Sequence, residues 1–123
     1  EVIPRITARE VSEIEEILAR WELRAKSNEP TSADDRAFHQ TLYRVLENRS
    51  LNALLDIFWV VFHTARIKTI TTDLRPTTTV QDHRNILAAV TAKDTTLAQR
   101  CIQEHFRNLE ERIDQARLVQ LPR

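Results

Sequence analysis

Glycine is absent from all 123 residues, against an average usage of about 7 %. The absence excludes Gly-rich phosphate loops and glycine-based nucleotide turns, where only a residue without a Cβ lets the backbone close around phosphate. Methionine is absent as well, position 1 included, so sequence is expected ahead of Glu1. The single cysteine, Cys101, excludes an internal disulfide and fits a reducing cytosol. No apolar run approaches the ~20 residues of a membrane span. The longest, from Ile57 to Phe62, covers less than two helical turns, and no secretory signal is visible. Basic and acidic residues number 18 each and are interspersed, so no electrostatic surface for DNA, RNA or an anionic membrane is expected. These exclusions leave a cytoplasmic protein of one domain, long enough to bury a core.

What is present is helical periodicity; alternation with period 2 is scarce. Thr7-Ala8-Arg9-Glu10 reads as a capping box, so the spacing predicts a first full helix from Thr7 that turns Val11, Ile14, Ile17, Leu18 and Trp21 inward. Thr31 or Ser32 caps a second helix carrying Phe38, Leu42, Val45 and Leu46, and Asn48-Arg49-Ser50 breaks it. A third helix, from about Leu51 to Thr69, is apolar nearly all round and is expected at the centre or at an interface. Thr71 to Thr79, with Pro76, reads as a loop. A fourth helix takes Val80, Ile86, Leu87 and Val90, and Asp94 caps a last helix carrying Leu97, Cys101, Ile102, Phe106, Leu109 and Ile113. The fold class is therefore all-α, an antiparallel bundle of about five to six helices. Residues 7–118 form its body, residues 1–6 the tail of a preceding helix, and residues 119–123 a frayed end.

Three of the four histidines fall on the apolar stripes of three different helices. Asp35, His39, Leu42 and Leu46 form one inward row; Val80, His83, Leu87 and Val90 a second; Ala98, Cys101, His105 and Leu109 a third. A single histidine on such a row is ordinarily a core residue bonded to a carbonyl, and a single Asp-x-x-x-His pair is often a surface hydrogen bond. Three rows converging in one bundle offer three imidazoles and a carboxylate, a set that divalent transition metals accept. Spacing alone leaves both readings open. His63 lies on the row Trp59, His63, Arg66, Ile70 with no acidic partner nearby and receives no ligand role. Arg66 is a candidate anion contact, since guanidinium holds a carboxylate through two hydrogen bonds. Asp34 is a competing carboxylate off the row, and Cys101 reads as a small core residue.

Taken together, D-R-A-F-H-Q-T-L, the Asn-containing break before L-N-A-L-L, D-H-R-N-I-L-A-A-V-T-A-K-D-T-T-L-A and E-H-F-R-N-L resemble the FCD domain. This is the FadR C-terminal, effector-sensing half of GntR-type transcription regulators. The likeness runs from about Thr7 to Ile113 and includes the 22-residue step from His83 to His105. It implies an internal divalent transition metal on Asp35, His39, His83 and His105; zinc fits best, with nickel, manganese or iron as alternatives. It further implies a small organic acid as effector, with Arg66 near it, and a homodimer. Asp82 stands where relatives commonly carry Glu. The winged helix-turn-helix of such regulators is not among these residues, so direct DNA contact is not expected of them. The expected function is effector sensing and dimerisation for a bacterial regulator, not catalysis.

Two other readings remain: a metal-dependent hydrolase-like helical enzyme, and a metal-free structural dimerisation module. Against the enzyme, Glu104 points about 100° away from His105 on a helix, and no nucleophile motif appears.

Overall fold

Residues 1–64 and 75–120 are described by the structure, a computed structural model. Five α-helices and no strand are found among them: α1 (Ala8–Lys26), α2 (Ser32–Arg44), α3 (Arg49–Thr64), α4 (Pro76–Thr91) and α5 (Thr95–Gln120). Four of the five starts have a local cause, while Thr31 precedes α2 without a side-chain capping bond. At α1 the Thr7 N–H donates to Glu10 Oε2 at 3.0 Å, and the Thr7 hydroxyl binds the same carboxylate. Asn48 Oδ1 accepts the Leu51 N–H at 3.0 Å ahead of α3. Pro76 opens α4 at the first position, where the missing N–H is no loss. Asp94 Oδ1 accepts the Leu97 N–H at 2.9 Å to cap α5.

Helix α1 is the central strut, packed between α2 and α4; α3 packs on α2, and α5 on α4. Its buried stripe, Ile14, Ile17, Leu18, Trp21 and Ala25, follows the three-and-four spacing of one helix face. That stripe meets Phe38 and Leu42 from α2 and Val80, Ile86, Leu87, Ala89 and Val90 from α4. Polar contacts show the antiparallel sense. Asp34 at the start of α2 receives Arg20 Nε at 2.7 Å and Arg24 Nη1 at 3.1 Å from the end of α1. Arg44 at the end of α2 returns to Glu13 near the start of α1 at 2.8 Å. Asp34 is 1 % exposed, so these two guanidinium groups stand in for the water its charge has lost.

Several expectations change. Helix α3 is not central: among the described residues it packs on α2 alone, with Trp59 buried while Leu54, Ile57 and Val61 remain exposed. Its all-round apolarity therefore does not mark the middle of the bundle. The loop expected through Thr79 yields to helix from Pro76, because proline at a helix start suits the threonines behind it as well as a loop does. The break after α2 falls at 45–48, and Arg49 and Ser50 already belong to α3. Residues 1–6 form a turn, with the Arg5 and Ile6 N–H groups on Val2 O at 2.9 Å. The expected end of the third helix at 65–69, the loop residues 71–74 and residues 121–123 lie outside the described residues, as does the side chain of Ile113.

Without glycine, the chain must turn on other residues. Asn28 (φ 55°), Glu47 (φ 49°) and Lys93 (φ 58°) take the left-handed conformation after α1, α2 and α4. Asparagine tolerates that region; for Glu and Lys it costs roughly 1–2 kcal/mol. Lys93→Gly is therefore expected to raise stability by about 0.5–1 kcal/mol, the relieved strain less the added freedom of the unfolded chain. Asn28→Gly should be close to neutral. Urea midpoints of both variants check this, and a lower midpoint for Lys93→Gly would contradict it.

Candidate metal centre

The four residues of the inward rows meet. Asp35 and His39 stand one turn apart on α2, His83 comes from α4, and His105 from α5. Helices α2 and α5 are not backbone neighbours among the described residues, so the long imidazoles span the space between them. Ring centroids lie 4.4 Å apart for His83 and His105, 5.3 Å for His39 and His83, and 5.5 Å for His39 and His105. One nitrogen from each of the three falls within 4.8 Å of the others.

The orientation of His83 fixes its chemistry. Its Nδ1–H donates to the Thr79 carbonyl at 2.7 Å, so in the neutral ring Nε2 is the nitrogen that turns a lone pair inward. That Nε2 lies 3.3 Å from His39 Nε2 and 3.3 Å from Asp35 Oδ1; His39 Nε2 lies 3.2 Å from the same oxygen. Asp35 Oδ1 is buried and makes no aligned hydrogen bond despite both approaches. Three donor atoms thus crowd around a common point, the two imidazole nitrogens within hydrogen-bond reach of each other. A tetrahedral ion with bonds of about 2.0 Å has ligand–ligand edges of about 3.3 Å. The residues present fit such an ion.

The surroundings are apolar. Trp21 packs on His83 with ring centroids 4.4 Å apart, Phe38 sets its edge on His83 and His39 at 4.8 Å and 5.2 Å, and Tyr43 stacks on His39 at 6.1 Å. His83 is fully buried and His39 8 % exposed. Charge–charge attraction is strong in such a low-dielectric place. Burial pushes the Asp35 carboxyl up, but the imidazoles of His39 and His83 outweigh it and hold the group below the usual carboxylate range.

Other candidates fall outside the cluster. Asp34 faces α1 and is occupied by Arg20 and Arg24. Cys101 is half-buried one turn before His105, with its thiol pushed up by burial and by the charge of Glu104. Glu104 is exposed. Arg66 and the side chain of His63 lie outside the described residues. Sequence reasoning missed the Thr79 carbonyl, which sits one turn before His83 as every such carbonyl does, and the Asn108 side chain, which donates to Asp82 Oδ2 at 2.8 Å.

The geometry defines an all-α bundle with three histidines, able to hold a metal ion, turned toward one another. The chain belongs to the FCD domain family, which matches it over residues 1–108. FCD domains are the effector-binding regulatory domains of GntR-family transcription regulators, and that is the class of this chain. No curated protein and no solved structure matches it.

The lowered Asp35 pKa has a defined sign. A carboxyl more acidic in the folded than in the unfolded state adds stability above its unfolded value, and the gain is lost as pH falls through the ordinary carboxylate range. Metal-stripped protein should therefore lose more stability between about pH 5 and pH 2 than its Asp35→Asn variant does. Denaturant midpoints across that range measure the difference, and parallel profiles would contradict it.

Proposed function

We propose that this chain is the effector-sensing and dimerisation domain of a bacterial GntR/FadR-type regulator, holding a divalent transition metal on Asp35, His39, His83 and His105. Zinc is the preferred ion, because the 3.2–3.3 Å donor spacing suits tetrahedral coordination. That spacing is the observation that carries the proposal. Nickel, manganese and iron accept the same nitrogen and oxygen donors. When bound, the ion supplies a fixed positive centre to which a small organic acid can attach through its carboxylate.

The protein's own residues prepare that centre. His83 keeps its lone pair inward because Thr79 holds the opposite nitrogen. Trp21 and Phe38 keep water from the imidazoles. Arg66 is proposed as a second contact for the acid, on its charge and fork geometry. The exposed Leu54, Ile57 and Val61 of α3 support a homodimer through an apolar face. In this reading the acid binds two dimer arrangements unequally and so alters how a winged helix-turn-helix elsewhere in the regulator meets DNA. The site of action is the cytoplasm, where the DNA is; no described helix is long and apolar enough to cross a membrane.

Protein purified without chelator or nickel affinity should carry about one metal ion per chain by elemental analysis. A free ion at 100 times its Kd should add about 2.7 kcal/mol to the stability of stripped protein. His83→Ala and His105→Ala should lose both the ion and the stabilisation. Lactate or succinate should bind the loaded protein and not the stripped one by calorimetry. A wild type without metal or thermal response, or variants that retain both, would overturn the proposal.

A further inference from the structure

We infer that Asp82 and Asn108 form a clamp that positions His83 and His105 for metal binding; the inference rests on the metal reading above. Helices α4 and α5 are joined by a tight junction. There the Lys93 N–H meets Val90 O at 3.1 Å, the Asp94 N–H meets Ala89 O at 3.0 Å, and Asp94 caps α5. The junction sets the two axes at one end only. His105 is ten residues beyond Thr95, roughly 15 Å along the helix. Over that length a splay of only about 5° moves the imidazole by about 1 Å. Metal ligands must sit within about 0.2 Å of their places. Non-directional apolar contacts do not hold a helix pair to that tolerance, and Phe106 on this stretch is itself half exposed.

A directed bond stands at the required level. Asn108 Nδ2 donates to Asp82 Oδ2 at 2.8 Å, and both side chains are half-buried. Asp82 immediately precedes His83 on α4, and Asn108 lies one turn beyond His105 on α5. A step of one residue turns a helix face by about 100°, so Asp82 reaches the flank of α5 while His83 points to the interior. The same arrangement occurs on α2. There Asp34 immediately precedes Asp35 and ties its helix to Arg20 and Arg24 of α1. In both places an aspartate next to a ligand fastens that ligand's helix to a neighbour. Asp82 and Asn108 are positioning residues: they act through the two imidazoles and need not touch the ion.

The test is Zn²⁺ affinity of the full chain, by competition with a chromophoric chelator, together with the visible spectrum of the Co²⁺-loaded protein. Asn108→Ala and Asp82→Ala should each bind Zn²⁺ about 10–100-fold more weakly than wild type, with a changed Co²⁺ spectrum. The exchanged pair Asp82→Asn/Asn108→Asp, which rebuilds the hydrogen bond in reverse, should recover affinity and spectrum. Glu13→Gln, which removes the shorter of two α1–α2 bridges to Arg44 away from the site, should lower stability and leave Zn²⁺ affinity unchanged. Wild-type affinity in Asn108→Ala, no recovery in the exchanged pair, or equal weakening by Glu13→Gln would each overturn the clamp. A wild type that binds no Zn²⁺ would overturn the metal reading before any variant is compared.

Discussion

Everything else in the bundle is arranged around one electrostatic constraint. Two imidazole nitrogens and a carboxylate oxygen lie 3.2–3.3 Å apart in a largely apolar interior. On one of those rings, in its neutral form, the Thr79 carbonyl takes the outer N–H and so turns the lone pair inward. Such donors repel unless a positive charge lies among them, and the low dielectric magnifies the repulsion and its relief alike. A proton can satisfy one pair at a time; a divalent ion satisfies all of them together. The constraint also accounts for the aromatic lining, since Phe38 and Trp21 offer the imidazoles no competing hydrogen bond to draw them away from the centre.

Holding that arrangement falls to the helix-to-helix ties. Helix α1 presents none of the four site residues, yet it fixes two of the helices that do: α2 through Asp34, which receives Arg20 and Arg24, and α4 through Glu22, which receives Arg84 at 2.7 Å. The ties are polar and directional where the core is apolar and permissive, so they set register while burial supplies the driving force. The glycine-free turns belong to the same picture. Short junctions at Asn28, Glu47 and Lys93 turn through the left-handed region, at a backbone cost for Glu47 and Lys93. A family of effector-binding regulatory domains would use such a frame to keep its interior ready for a ligand.

Much of this was legible in the residues. The capping box at Thr7, the Asn-containing break and the Asp94 cap are local signals, and each fulfils a local role in the structure. The inward rows were legible because helical spacing alone decides which side chains share a face, and Asp35, His39, His83 and His105 do come together. Other features depend on neighbours that spacing does not specify. Apolarity on all sides suggested an α3 at the centre or at an interface, and among the described residues it packs on α2 alone and is not central. Pro76 and its threonines fit a loop and a helix start equally well. Asp34 looked like a rival ligand because its partners lie 10 and 14 residues away on another helix, and Asp82 acquires a partner only when α5 folds back.

The most direct test of the central claim is X-ray absorption at the zinc edge of the loaded protein. The account predicts a first shell of nitrogen and oxygen at about 2.0 Å, with the outer-shell scattering of three imidazoles. A shell containing sulfur, or one with fewer than three imidazoles, would contradict it.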